Sequence, residues 1–163
     1  MELRPLDPHD TAAAALLAQS DAYMAALYPA ESNHMESAAS LTQPHVLFLG
    51  AWQDGTLAGC GAVKRMRDEA GDYGEIKRVF VPPAFRGHGI ARALMSRLEA
   101  HLREHGIALA RLETGVSQPE ALGLYRALGY VIRGPFGAYP PDPYSVFMEK
   151  RLAAHAGSRT ERC

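Results

Sequence analysis

The chain has 163 residues, of which 47% are hydrophobic and 21% are charged, and this length and composition are typical of one globular domain. Its 17 basic and 18 acidic side chains give a net charge of −1, which argues against a dedicated DNA- or RNA-binding module but leaves room for a local basic site. A count of only two cysteines argues against a disulfide framework and a cysteine-based zinc site. We find no apolar leader and no apolar run of about 18 residues, which argues against a signal peptide and a membrane span. We therefore expect a cytoplasmic protein.

The N-terminal segment predicts a strand followed by two helices. Residues 2–6 predict a short edge strand, because Pro5 is tolerated only at a sheet edge or a bulge. Asp7-Pro8 indicates the cap and first turn of a helix, and Tyr28-Pro29 ends it because the residue before a proline leaves helical conformations. The polar residues 30–41 favour a second, shorter helix.

Three strands are predicted next, two of them joined by a tight turn. Residues 46–52 form a continuous apolar run typical of a buried strand, and Asp54-Gly55 is a hairpin signal that leads into a partner strand at 57–65. A charged loop over residues 67–73 precedes a third strand at 74–81. Alternation along that strand predicts one face with Glu75, Lys77, Val79 and Val81 and the other with Ile76, Arg78 and Phe80.

The second half of the chain predicts two further helices and three further strands. An amphipathic stripe over residues 91–102 predicts a helix that ends at Gly106, and a capping box at 117–120 begins a short helix that ends at Gly129. The strands are predicted at residues 108–114, 130–133 and 144–152.

The order of these elements predicts the fold class. It mixes hairpins with two strand–helix–strand crossovers, so we expect an α+β (mixed α/β) fold with a mixed sheet. We expect one domain over residues 1–152 and a polar tail over residues 153–163.

The sharpest motif lies between the third strand and the amphipathic helix. Gly87 and Gly89 leave backbone N–H groups uncovered at a helix N-terminus, and Arg86 and Arg92 add positive charge, so the segment is typical of a site for a diphosphate. The alternative is a glycine-rich turn without a ligand. Two other phosphate-binding patterns fit less well, because Ile90 stands where a Walker motif has lysine and Arg92 stands where a dinucleotide fingerprint has glycine.

At these residues the sequence resembles the GNAT superfamily of acetyl-CoA-dependent N-acetyltransferases. The family signature Arg/Gln-x-x-Gly-x-Gly/Ala is matched by residues 86–91, residues 75–82 resemble its fourth strand, and residues 121–130 match its second sequence block. The resemblance covers about residues 2–152. It implies a GNAT fold with a central, mixed, mostly antiparallel sheet of six to seven strands and about four helices.

The resemblance also implies which residues bind acetyl-CoA. Backbone N–H groups of residues 87–91 hold the pyrophosphate, while the strand at 79–81 splays from its neighbour, pairs with the pantetheine arm and offers an N–H to the thioester carbonyl. The expected contacts are Val79, Phe80, Val81, Arg86, Gly87, His88, Gly89, Ile90 and Ala91, with His88 either facing the phosphates or solvated. Where many members carry an asparagine, this chain has Gln118, whose amide is one methylene further out.

Two catalytic residues follow from the same resemblance. The acceptor amine must lose a proton, and Glu75 is the expected base; the alternative is a surface glutamate paired with Lys77 or Lys64. Tyr125 is the expected general acid for the leaving thiolate, and the alternative is a packing role on its helix face.

The acceptor pocket is expected between the segment after the first helix and the last hairpin. Glu31, Asn33 and His34 form a polar cluster, and with Lys77 they suit a small zwitterion: Glu31 on the ammonium, His34 or Lys77 on the carboxylate. Tyr139 lies in the facing proline-rich loop. The alternative is that the polar cluster only caps and solvates the second helix.

The leading hypothesis is a small-molecule N-acetyltransferase that moves the acetyl group of acetyl-CoA to a primary amine by direct attack in a ternary complex. The alternatives are a protein or peptide N-acetyltransferase and a catalytically silent acyl-CoA-binding sensor. We expect no metal, because the histidines lack ligand spacing, and no nucleic-acid or membrane partner. The resemblance is compatible with a homodimer, and the sequence leaves the oligomeric state open.

Overall fold

The computed structural model describes residues 1–33 and 36–153, so His34 and the tail beyond residue 153 lie outside the described part. A sheet of seven strands forms its centre. The strands are β1 (Glu2–Pro5), β2 (Val46–Gln53), β3 (Thr56–Asp68), β4 (Gly71–Phe80), β5 (Leu109–Gly115), β6 (Val131–Arg133) and β7 (Ser145–Arg151). The α-helices are α1 (Thr11–Leu27), α2 (Ala38–Leu41), α3 (Ile90–Glu104) and α4 (Pro119–Ala127).

The strand order is β1-β2-β3-β4-β5-β7-β6. Among the described strands β4 and β5 are the one parallel pair, and every other pairing is antiparallel. This arrangement confirms the predicted α+β fold with a mixed, mostly antiparallel sheet and four helices. Pro5 lies in an edge strand, as its missing N–H requires.

Helices cover both faces of the sheet because each presents an apolar stripe to it. On α3, Leu94, Met95, Leu98 and Leu102 are completely buried against one face. The contact is close: a Cβ added to Gly74 would lie 2.3 Å from Leu102 Cδ2. The apolar residues of α1 pack on the opposite face.

Several predicted boundaries are wrong for local reasons. Helix α1 begins after Asp10, because the Asp7 carboxylate instead accepts the backbone N–H of His9 and closes a turn. The predicted loop 67–73 is a tight turn between β3 and β4, because the Asp68 carboxylate accepts the N–H of Ala70 at 2.9 Å and closes it. The polar stretch 30–41 splits into a single 3-10 turn and α2.

A β-bulge in β4 overturns the predicted alternation of its faces. Phe80 lies opposite Cys60 and Lys77 lies opposite Ala62, so β4 carries one extra residue between them. Arg78 takes up this residue with a φ of +58°, and its guanidinium donates to Asp21 Oδ1 of α1 at 2.6 Å. Strict alternation cannot anticipate an inserted residue.

Beyond the bulge, the side chains of β4 therefore lie on different faces of the sheet from those predicted. Arg78 joins Glu75 and Lys77 on one face of the sheet, whereas Val79 packs in the apolar cluster of α3 on the other. The face predicted to carry Glu75, Lys77, Val79 and Val81 together is thus divided.

Strands β4 and β5 separate just where the bulge begins. They pair at Gly74–Ala110, Glu75–Arg111 and Ile76–Leu112, and among the described residues no later pair joins them. The remainder of each strand lines a gap, and the backbone edge of β4 from residue 77 to 80 has no strand beside it there. This gap locates the candidate site.

Candidate functional site

Three adjoining cavities extend from the gap between β4 and β5. We call them the cleft, about 370 Å³, the central cavity, about 100 Å³, and the outer cavity, about 350 Å³. Gln118 and Tyr125 line both the cleft and the central cavity, and Lys77 and Tyr139 line both the central and outer cavities. The three cavities therefore follow one another through the gap between β4 and β5.

The cleft begins at the predicted glycine turn. Gly87 has a φ of +83° and Gly89 a φ of +76°, and nothing lies within 4 Å of a Cβ added to either. Because other residues are strained in this left-handed region, glycine is favoured at both positions. Without a side chain, each glycine also leaves the backbone N–H groups at the start of α3 uncovered. The turn is fixed by Arg86, whose Nε donates to the carbonyl oxygen of Val81 at 2.9 Å.

The cleft combines two features that suit one elongated anionic ligand. Its glycine turn, with Arg86 and Arg92, suits a diphosphate, and the unpaired edge of β4 suits an extended polar arm. The predicted binding residues that line it are Val79, Phe80, Val81, Arg86, Gly87, Gly89, Ile90, Ala91 and Gln118. His88 is exposed and is not among the lining residues.

Tyr125 lies where the cleft meets the central cavity. It is 7% exposed, and its ring packs edge-on against Tyr130 with centroids 5.9 Å apart. Burial raises the pKa of Tyr125 to about 12, so the hydroxyl keeps its proton at neutral pH. Among the described residues nothing hydrogen-bonds to this hydroxyl.

The side chain of Gln118 is positioned by a hydrogen bond from Tyr28. The Tyr28 hydroxyl donates to Gln118 Oε1 at 3.1 Å and accepts the backbone N–H of Ser117 at 3.1 Å. A Cβ added to Gly115 would lie 1.8 Å from the Tyr28 hydroxyl oxygen, so glycine is required at the end of β5. The predicted capping box does not form: Gln118 occupies the N-cap of α4 without a side-chain cap.

The central cavity contains a carboxylate that the sequence analysis missed. Glu113 lines it beside Lys77, Tyr125 and Tyr139. Ser145 Oγ donates to Glu113 Oε2 at 2.8 Å, but burial outweighs this bond and raises the pKa of Glu113 to about 7. The sequence signal for Glu113 is a glutamate within β5, a strand that is mostly buried. Whether the Glu113 side chain reaches the gap depends on the separation of β4 from β5.

Glu75, the predicted base, is buried, at 5% exposure. Tyr139 donates its hydroxyl proton to Glu75 Oε2 at 2.5 Å, and Lys77 Nζ lies 3.5 Å from the same oxygen. The alternative of a surface glutamate is wrong about exposure, although the expected pairing with Lys77 is present.

The outer cavity carries a network of opposite charges. Lys77 Nζ donates to the Tyr139 hydroxyl at 2.8 Å and lies 3.4 Å from Glu36 Oε1. Lys64 Nζ lies 3.1 Å from the same Glu36 oxygen. The network therefore pairs two acidic side chains, Glu36 and Glu75, with two basic ones, Lys64 and Lys77.

The structure separates the predicted acceptor residues. Lys77 and Tyr139 line the central and outer cavities, whereas Glu31 is exposed in a 3-10 turn and Asn33 is half-buried; neither of these two lines the three cavities. His34 lies outside the described residues. The polar stretch contributes Glu36 instead, which the sequence analysis missed together with Lys64.

The described residues offer neither a cluster of metal ligands nor a helix that could span a membrane. Nowhere in residues 1–33 and 36–153 do three or more His, Cys, Asp or Glu side chains form a group able to hold a metal ion. In the same ranges no helix has both the length and the apolar character to cross a membrane.

Comparisons with known proteins agree with this geometry. A model of the acetyltransferase (GNAT) family matches residues 13–130. The IAA acetyltransferase of Azospirillum brasilense is 47% identical over 145 residues, which cover 89% of this chain and 94% of that protein.

Solved structures show the same fold. A Klebsiella pneumoniae protein classed as an acyl-CoA N-acyltransferase has a TM-score of 0.78 at 36% identity, over 93% of this chain and 97% of that one. The PaiA N-acetyltransferase of Thermoplasma acidophilum, solved with coenzyme A, has a TM-score of 0.73 at 22% identity, over 93% and 98% of the two chains.

Proposed function

This chain belongs to the GNAT family of N-acetyltransferases, which use acetyl-CoA, and we propose that it acetylates a primary amine of a small molecule by direct attack in a ternary complex. The observation that carries the proposal is the row of three cavities through the gap between β4 and β5. One end suits a diphosphate, the middle holds proton-transfer groups, and the far end is a charged pocket of small-molecule size. The 47% identity to an IAA acetyltransferase supports a small acceptor.

The cleft residues hold the cofactor in this proposal. Acetyl-CoA, when bound, supplies the activated acetyl thioester. N–H groups of the turn around Gly87 and Gly89 bind its diphosphate, with Arg86 and Arg92 adding charge. The open edge of β4 offers a further N–H to the thioester carbonyl, and a donor of this kind contributes about 3 kcal/mol in related chemistry.

Glu113 takes the proton of the acceptor amine. An alkyl ammonium holds its proton up to a pH of about 10, so the site needs a base near neutral pH. The Glu113 pKa of about 7 fits that need, and the residue lines the central cavity with Tyr125. Glu75 is the alternative base, and its hydrogen bond from Tyr139 supports a role in orienting that ring.

Tyr125 stabilises the leaving sulfur by a hydrogen bond. With a pKa of about 12, its hydroxyl is a weaker acid than a thiol, whose pKa is ordinarily about 8.5. Complete transfer of the proton to the sulfur would therefore be uphill. A hydrogen bond donated from Tyr125 lowers the energy of the developing negative charge without that cost, which refines the general-acid role predicted above.

A thiol-release assay tests the proposed function. Acetyl-CoA is mixed with the protein and with amino acids, polyamines, aminoglycosides or peptides in turn. We expect release of coenzyme A with at least one small amine. Release with peptides alone would support a peptide acetyltransferase, and binding of acetyl-CoA without release across the panel would support a silent sensor; either result contradicts the proposal.

We extend the proposal to location and assembly. The free, buried thiol of Cys60 fits a reducing cytoplasm.

Val131 and Ile132 are 64% and 58% exposed on the edge strand β6, and such an edge supports pairing between two copies. Light scattering is expected to give the mass of a homodimer, and the mass of a monomer at working concentration would contradict this assembly.

A further inference from the structure

Among the described residues that line the outer cavity, one cationic group has spare hydrogen-bond donors. An ammonium group has three N–H donors. Lys77 Nζ has three acceptors nearby, the Tyr139 hydroxyl, Glu36 and Glu75, at 2.8, 3.4 and 3.5 Å. Lys64 Nζ has Glu36 alone among the described residues. Lys64 therefore lines the cavity with donors available to a ligand.

The sheet register aligns Lys64 with the proton-transfer groups. Lys64 lies opposite Glu75 on β4, and Glu75 lies opposite Arg111 on β5. Glu113 follows Arg111 by two residues on the same face. Ordinary strand spacing alone would set the Cα atoms of Lys64 and Glu113 about 12 Å apart, and the separation of β4 from β5 beyond Leu112 lengthens this distance. Two long side chains and one small molecule can bridge such a span.

The geometry points to an acceptor that carries a carboxylate as well as its amine. This inference rests on the proposed function and names its substrate class. The amine lies at Glu113 in the central cavity, and the carboxylate pairs with Lys64 in the outer cavity. Lys64 is thus a specificity residue, and Glu36 is the internal anion that occupies it when no acceptor is bound.

The role of Glu36 as a stand-in for the ligand carboxylate predicts opposite effects for two variants. Lys64→Gln removes the partner of the ligand carboxylate, so the affinity for such acceptors falls. Glu36→Gln removes the competing anion, so that affinity rises. A merely structural ion pair would lose the same contact in both variants and shift the affinity in one direction only.

The test compares amines with and without a carboxylate. β-Alanine is paired with ethylamine and γ-aminobutyrate with propylamine, and kcat/KM is measured for each with acetyl-CoA. We expect at least one pair to favour the carboxylate member ten-fold or more, mainly through KM. In Lys64→Gln that ratio is expected to fall to about one, and Lys64→Arg is expected to restore part of it.

Lys150→Gln is the matched control. Lys150 Nζ pairs with Glu99 at 2.8 Å, and its side chain is 21% exposed, close to the 18% of Lys64, but it lies outside the three cavities. It should keep the wild-type ratio. A ratio of one in the wild type for both pairs, or a shift of KM in the same direction in Lys64→Gln and Glu36→Gln, would overturn the inference.

A binding measurement separates this inference from the proposed function. The rise in unfolding temperature on adding each compound, without acetyl-CoA, is expected to be larger for the carboxylate members and to shrink in Lys64→Gln. Absence of coenzyme A release with every acceptor defeats the proposed function whatever the binding data show. Equal temperature shifts within each pair defeat the inference even where acetyl transfer is observed.

Discussion

Two carboxyl groups near the gap, the buried Glu75 and the half-buried Glu113, have different surroundings. Glu75 accepts the Tyr139 hydroxyl and lies 3.5 Å from Lys77 Nζ. Glu113 has the weaker support of a neutral Ser145 hydroxyl, and burial raises its pKa to about 7. These different surroundings are the basis of the different roles proposed for the two groups, as in other sites where neighbours set the pKa values of two carboxyl groups apart.

The first prediction concerns the pH dependence of acetyl transfer. The base must be ionised, so kcat/KM is expected to rise about ten-fold per pH unit below 7 and to level off above it. Glu113→Gln should lose this rise and fall about 100-fold or more at pH 8. If Glu75→Gln removes the rise while Glu113→Gln keeps it, Glu75 is the base.

The second prediction concerns stability, because a raised carboxyl pKa opposes folding once the group ionises. Glu113 is ordinarily half-ionised near 4.5 but at about 7 in the fold, so its contribution to stability declines as pH rises between these values and is constant above them. The full difference is up to about 3 kcal/mol.

Glu113→Gln avoids this penalty and keeps an acceptor for Ser145. Its melting temperature is expected to exceed that of the wild type by several degrees at pH 8, with no difference at pH 4, in calorimetry at both values. A variant less stable than the wild type at pH 8 would show that the carboxylate is favourably held after all.

At the scale of the element, β4 shapes the candidate site. Its extra residue turns Arg78 towards α1, and its separation from β5 exposes a backbone edge beside the glycine turn. The turn itself was predictable, since glycine spacing and flanking arginines are local properties of the sequence. The bulge was not, because alternation alone cannot reveal an inserted residue.

The third prediction concerns the glycine turn. Gly89→Ala forces a side chain into a left-handed residue at the cleft, which costs about 1–2 kcal/mol or tilts the N–H groups. We expect the dissociation constant for coenzyme A to rise at least five-fold, by titration calorimetry. Gly123→Ala is the control, since it lies in the helix α4 with nothing within 4 Å of the added Cβ.

The control should differ in both readouts. Alanine is the better helix former, so Gly123→Ala is expected to stabilise the protein by about 0.5–1 kcal/mol and to leave coenzyme A binding as it is. Equal binding by Gly89→Ala and the wild type would mean that the turn does not hold the diphosphate.

At the scale of the whole molecule, the site depends on contacts between distant parts of the chain. Glu36 meets Lys64 across 28 positions, and Glu75 meets Tyr139 across 64. No local pattern pairs such residues. Most of the predicted cofactor residues line the cleft, and Lys77 and Tyr139 line the outer cavity, but Glu36 and Lys64 line it where Glu31 and Asn33 were expected.

The fold class was predictable because it depends on local patterns and not on contacts between distant residues. The order of strand and helix patterns is a property of consecutive segments, and the amphipathic stripe of α3 indicates the face it buries. What depends on tertiary geometry, namely the separation of β4 from β5 and hence the access of Glu113 to the gap, required the structure.

The most direct test of acetyl transfer through this gap is product analysis of the wild type and Tyr125→Phe with acetyl-CoA and γ-aminobutyrate or β-alanine. Mass spectrometry should find the acetylated amine in the same amount as released coenzyme A. Tyr125→Phe should form it at least ten-fold more slowly while still binding acetyl-CoA. Unchanged turnover in Tyr125→Phe, or thiol release without any acetylated amine, would contradict the account.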